Sequence, residues 1–264
     1  MTRHLLIIDP QNDFCDEHPD GFLPALAVKG ASQDLLRLKQ FIEKELSFFD
    51  EISVTLDSHS SFAIERPAFW KNKDGSDVMP FTFISFEDFK NGTYVLAEPQ
   101  VESRVSQTLS NLGGIFIWPT HCVIGSKGHG VFEPLLQGLS KWETARFKQV
   151  SYFIKGEYPF TEHFGIFEAE FVFNDIPKTQ YNEELYQKLT QNSDQEIYIA
   201  GQALSHCVAK STRQLVYKMI DNNQKIKNRV FLLENCMSNV PGFEAQGESF
   251  LKEMVDLGVT LIKI

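Results

Sequence analysis

Short apolar runs alternate along this chain with amphipathic stretches, and that alternation limits the fold more than any other feature. Residues 5–8, 52–56, 115–118, 152–154, 197–200 and 230–233 are apolar runs of strand length, and 259–262 is a further candidate at an edge. They read as continuous apolar runs rather than strict alternations, as strands buried on both faces require. Helical patterns lie between them. Residues 33–49 carry Leu35, Leu36, Leu38, Phe41, Ile42 and Leu46 close to a 3.6-residue period, and 131–142, 182–189, 208–220 and 243–257 behave alike. Strand and helix in turn, with short connections, predict a parallel sheet covered by helices on both faces.

Residues 60–112 break the rhythm. They hold Pro67, Pro80, Pro99, turn signals at 72–75 and 91–92, and eight aromatic residues: Phe62, Phe69, Trp70, Phe81, Phe83, Phe86, Phe89 and Tyr94. The chain of 264 residues is therefore expected to be one domain, 1–264, with a rim insertion at about 60–112. That many aromatic rings need a covering surface, so the insertion is expected to act as a lid or as a homo-oligomer contact. A satellite cluster packed on its own domain is the alternative.

Composition removes several classes. With 42% hydrophobic and 12% aromatic residues the chain can bury a sizeable core. Its 25 Lys and Arg against 35 Asp and Glu give a net charge of −10, which repels a phosphate backbone, so nucleic acid is not expected as a partner. No apolar run approaches a membrane span, and the run 5–8 is too short for a secretory leader. Cys15, Cys122, Cys207 and Cys236 are scattered without paired spacing, so a reducing, cytoplasmic setting is expected rather than a disulfide framework.

In open α/β sheets, ligands bind beyond the carboxyl ends of the strands. Asp9, Asp57 with His59, His121, Lys155 and Cys207 all follow apolar runs, each at or just beyond the end. Cys207 falls where a strand-loop gives way to a helix. A helix N-terminus lowers a thiol's pKa and offers N–H groups to an oxyanion, although a free Cys is more often a small buried hydrophobe. Asp9 and Lys155 are the groups that would serve a reactive thiol as base and counter-charge. Asp57, His59 and His121 supply one carboxylate and two imidazoles, a ligand set used by Zn and Fe. Glu65 is near enough in sequence to be a fourth ligand, or is a loop charge.

Five segments, in order, resemble the nicotinamidase family of the isochorismatase-like cysteine hydrolases. They are residues 6–15 (LIIDPQNDFC), 55–59 (TLDSH), 118–123 (WPTHCV), Lys155 with Gly156, and 201–208 (GQALSHCV). The resemblance implies a three-layer α/β/α sandwich with a mainly parallel six-stranded sheet. It implies Cys207 as nucleophile, Asp9 as general base and acid, and Lys155 as the third catalytic member. It implies Asp57, His59 and His121 as ligands of one divalent metal, zinc foremost, with iron or manganese as alternatives. Phe14 and Trp118 match the walls of a ring pocket. Gln202–Ala203 matches a cis peptide that aims the Ala203 N–H, with that of Cys207, at an oxyanion. The chain departs from many members in carrying Ser205 two residues before the cysteine, and 62 residues separate His59 from His121.

The activity so implied is hydrolysis of nicotinamide to nicotinate and ammonia through a thioester. Another small carboxamide or carbamoyl substrate is the alternative within enzymes, and an inactive assembly or binding module the alternative outside them. His206 is expected to be a packed or capping neighbour, since Asp9 already serves as base. His129 and His163 are expected on loops.

Overall fold

The structure, a computed structural model, describes residues 2–264. Six parallel strands form the central sheet: β1 (Arg3–Ile8), β2 (Glu51–Asp57), β7 (Ser151–Lys155), β8 (Glu196–Gly201), β9 (Val230–Leu233) and β10 (Thr260–Ile262). Their order is β10-β9-β8-β1-β2-β7. The first strand in sequence is thus central, and it is wholly apolar after His4.

Helices cover both faces. On one, α5 (Glu183–Thr190), α6 (Ala209–Asp221) and α7 (Glu244–Asp256) pack Leu189, Leu215, Met219 and Phe250 against Leu6, Ile8, Ile197 and Ile199. On the other, α1 (Ala31–Lys44) and α4 (Glu133–Arg146) pack Leu35, Leu38, Leu139 and Trp142 against Leu5, Ile7, Ile52 and Val54. Alternate residues of β1 enter opposite layers, as the pleat dictates. The result is the expected three-layer α/β/α sandwich, with a sheet that is parallel throughout. Among the described residues no helix is long and apolar enough to cross a membrane.

Two readings are corrected. The run 115–118 does not join the central sheet. Its ordered part, β6 (Gly114–Phe116), pairs antiparallel with β4 (Phe83–Ser85) in a separate ribbon. Ile115 and Ile117 are buried, but in a different core, and a short apolar run does not say which. The helix expected over 33–49 stops at Lys44; Phe48 and Phe49 instead join Phe41 and Tyr198 in an edge-to-face aromatic group.

The segment after His59 has more regular structure than its prolines and turns announce. A second ribbon joins β3 (Trp70–Asn72) to β5 (Tyr94–Leu96), and α2 (Phe86–Lys90) and α3 (Glu102–Leu112) follow β4 and β5. Trp70, Ile84, Val105, Leu109, Ile115 and Ile117 close a satellite core between them.

Candidate active site

Register brings the strand ends together. Ile8 is opposite Gly201, and Asp57 opposite Lys155, so four adjacent strands deliver their last residues to one rim. Asp9 follows β1 in a left-handed conformation (φ 42°), which Asp tolerates better than most residues. Its N–H donates to Thr55 Oγ1 at 3.0 Å, and the same hydroxyl donates back to Asp9 Oδ1. Gly201 has φ 118°, and a Cβ there would lie 2.0 Å from the Ile8 carbonyl oxygen, so only glycine fits. The Gln202–Ala203 peptide is cis. A single π-helical turn, Leu204–Val208, then opens α6 and holds Cys207.

Lys155 is the hub. Its ammonium lies 3.1 Å from Asp9 Oδ2, 2.6 Å from Asp57 Oδ1 and 3.7 Å from Cys207 Sγ, and donates to the His163 carbonyl at 3.0 Å. All four of these side chains are buried. Burial works against the Lys155 cation, but Asp57 and Asp9 outweigh it and hold the proton firmly. Burial raises the Asp9 carboxyl, with Lys155 pulling the other way. Asp57 stays ionised, because His59 and Lys155 overcome the cost of its burial.

The Cys207 thiol does not follow the helix-terminus expectation. Burial pushes its pKa well up, Lys155 opposes, and the two carboxylates add to the rise. The resting group is a thiol beside a carboxyl whose own proton affinity is elevated.

The other oxygen of Asp57 faces the imidazoles. Oδ2 is 2.8 Å from His59 Nε2 and 3.3 Å from His121 Nε2, and the three ligand atoms lie within 4.8 Å of one another. The His59 N–H donates to the Cys122 carbonyl and the Ile124 N–H to the His59 carbonyl, which ties the two histidine segments edge to edge. Glu65 is neither a loop charge nor one of the converging atoms. It is buried behind His59, with Oε1 3.0 Å from His59 Nδ1. Burial lowers the His59 pKa, but Asp57 and Glu65 outweigh it and hold it at about 9.

His121 Nδ1 lies 2.7 Å from the Pro119 carbonyl and 2.7 Å from Arg66 Nη1. A ring N–H aimed at Pro119 leaves the Nε2 lone pair free to bind a metal, and Arg66 Nη1 then shares that carbonyl at 2.9 Å. Burial and Arg66 lower the His121 pKa to about 4, which keeps the ring neutral. Two imidazole nitrogens converging on one ionised carboxylate, each ring backed by a polar partner, fit a divalent cation.

Of these groups Asp57, His121, Lys155 and Cys207 line a pocket of about 420 Å³, open solvent included. Phe14, Trp118 and Phe164 are its apolar walls. Two further histidines face the pocket. His163 lies on a loop and is buried against the pocket, and Gly156 N–H donates to its Nδ1 at 3.3 Å. His206 packs among aromatic rings and also lines the pocket. His129 does sit on a half-buried loop, bonded to Ser58.

Sequence reasoning missed Arg66 and Glu162. Arg66 is fully buried. Glu162 reaches the pocket wall, and burial, with Glu65 adding, raises its carboxyl to about 8. Neither carries a local signal, because a charged residue in a Pro-rich loop reads as solvated. Gln11 and Asp13, quoted only as motif letters, turn out to be braces. Gln11 exchanges two bonds with the Asp57 backbone, and Asp13 accepts from the Cys122 N–H at 2.7 Å.

No family model and no curated protein matches the sequence. Solved structures do. The yeast nicotinamidase Pnc1p superposes with a TM-score of 0.67 at 17% identity, covering 100% of both chains. PnC1 from L. infantum, solved with nicotinate, gives 0.58 at 20% identity over 99% of this chain and 92% of that one. The pyrazinamidase of Pyrococcus horikoshii, solved with zinc, gives 0.57 at 17% over 100% of both. The fold of this chain is theirs.

Proposed function

We propose that this protein is a metal-dependent cysteine amidohydrolase that converts nicotinamide to nicotinate and ammonia. The observation that carries the reading is the convergence of Asp9 and Cys207 on the buried Lys155 ammonium, at 3.1 and 3.7 Å, with Lys155 and Cys207 lining an aromatic-walled pocket. The similar folds support it, being nicotinamidases and a pyrazinamidase, one of them holding nicotinate.

Asp9 takes the thiol proton as Cys207 Sγ attacks the amide carbon, and Lys155 offsets the charge that develops. A carboxyl whose proton affinity burial has raised suits that step, since it must hold the proton and then release it to the departing amine. The Ala203 and Cys207 N–H groups serve the tetrahedral oxyanion, at about 3 kcal/mol for each well-aimed donor. The acyl group then rests on Cys207 as a thioester until water removes it. Asp57, His59 and His121 would hold the metal, which supplies a Lewis-acid site for the ring nitrogen or water, with zinc the first choice. Glu65 steadies His59 from behind, and Phe14 and Trp118 sandwich the ring. The protein would work in the cytoplasm on a small-molecule amide.

An ammonia-release assay over nicotinamide, aliphatic amides and carbamoyl compounds, run with metal analysis, tests this. Nicotinamide should lead the panel, with about one divalent ion per chain. Turnover confined to carbamoyl compounds would replace the substrate, and none at all would leave a binding module.

A further inference from the structure

His206 is held in one tautomer by a short chain of hydrogen bonds. The Val240 N–H donates to Ser205 Oγ at 3.1 Å, and Ser205 Oγ lies 2.9 Å from His206 Nδ1. Among the described residues the serine hydroxyl has no other hydrogen-bond partner, and a proton given to Nδ1 leaves the ring proton on Nε2. Burial keeps the ring neutral, with its pKa down at about 4. The imidazole stands in an aromatic frame: Trp118 at 5.3 Å, Phe164 at 5.5 Å and Phe243 at 4.7 Å. Its Nε2–H meets no acceptor among the described residues. The indole N–H of Trp118, in the same wall, is buried and also without an acceptor. A wall with two unpaired donors is built for a ligand that brings acceptors, because an unpaired donor there costs binding energy.

We infer that His206 presents a fixed Nε2–H to the pocket and selects substrates bearing an uncharged hydrogen-bond acceptor on the ring edge it faces. The substrate half of this inference rests on the amidase reading; the tautomer does not. Ser205 is the positioning residue, acting through the imidazole. An acidic residue in its place accepts and cannot donate, which would move the ring proton to Nδ1 and turn Nε2 into an acceptor.

Two measurements on the full chain test it. Nitrogen NMR of histidine-labelled protein should show His206 protonated at Nε2 in the wild type and at Nδ1 in Ser205→Asp. A wild-type ring protonated at Nδ1 overturns the inference whatever the protein hydrolyses. The second measurement compares kcat/KM for nicotinamide with that for pyrazine-2-, pyrimidine-5- and pyridazine-4-carboxamide. Each diazine keeps the nicotinamide nitrogen and adds another at a different edge position. For at least one isomer, the rate ratio to nicotinamide should fall about tenfold in His206→Phe and in Ser205→Asp, the worth of one hydrogen bond. Unchanged ratios for all three overturn the selectivity. A wild type that hydrolyses no amide overturns the amidase reading and the substrate half with it, while the nitrogen spectrum still decides the tautomer.

Discussion

Asp57 is shared between the two halves of the site. Oδ1 takes the Lys155 ammonium at 2.6 Å, and Oδ2 takes the imidazoles at 2.8 and 3.3 Å. One carboxylate thus fixes the distance between the Lys155 ammonium and the two imidazoles. Cys207 touches only the first half. Cys207→Ala should therefore lose turnover entirely while retaining the metal and the thermal transition of the parent; an active alanine variant would remove the covalent route. Glu65 touches only the second half. Its carboxylate orients His59, and partners of that kind are worth roughly 10- to 100-fold in metal affinity. Glu65→Gln should raise the metal dissociation constant by about that factor in a chelator competition, with the fold intact. Unchanged affinity would reduce Glu65 to a buried counter-ion.

At the scale of elements, what the residues announced and what they hid divide along physical lines. The five outer-layer helices and six central strands were legible, because a period near 3.6 between short apolar runs leaves few other folds, although only the four inner strands are buried on both faces and Tyr152 and Ile154 of β7 are half-exposed. Asp9, Asp57 and Lys155 were legible because strand register brings them to one rim, and Cys207 because a short loop returns the chain from β8 to the same rim. Arg66, Glu162 and the position of His163 were not, since long-range packing of loops buries them and no local pattern records it. The satellite core behind Glu65 and Arg66 was legible only as a surplus of aromatic rings. Its own fold answers most of that surplus, although Phe81 and Phe83 remain exposed. Trp70, fully buried there, donates its indole N–H to the Ile64 carbonyl at 2.6 Å, one residue before Glu65. The Trp118 backbone N–H in turn donates to the Glu65 carbonyl at 2.9 Å. We expect Trp70→Ala to cost about 3–5 kcal/mol, as large aromatic truncations do, and also to weaken metal binding. Phe250→Ala, equally buried under α7, should cost as much stability and leave metal affinity alone. Equal metal losses in the two variants would show that the insertion is no special brace.

Over the whole molecule, acid stability sets histidines against carboxyls. His4 and His163 are buried and His206 half-buried, and all three are neutral, with pKa values lowered by burial to about 4, 3 and 4. Each favours the folded state above the ordinary imidazole pKa of 6.5 and loses that contribution as pH falls toward its folded value. Asp9, Asp34 and Glu162 run the other way: burial raises them, so they favour folding as pH falls. The net slope is a balance, but one member can be isolated. His4 lies in β1, remote from the rim, with Nε2 2.8 Å from Ser53 Oγ and Nδ1 3.4 Å from the Gln195 amide nitrogen. The amide N–H donates to Nδ1, so Nε2–H donates to the serine and no proton is needed. His4→Gln removes the titration and leaves every other group in place. A shift from 6.5 to about 4 corresponds to about 3 kcal/mol at 1.36 kcal/mol per unit. Measured by urea unfolding from pH 7 to pH 4, the wild type should lose about that much relative to His4→Gln, nearly all of it below pH 6.5. Parallel curves over that range would mean that His4 is protonated in the folded state, with Glu51, 3.6 Å from Nδ1, as its counter-charge.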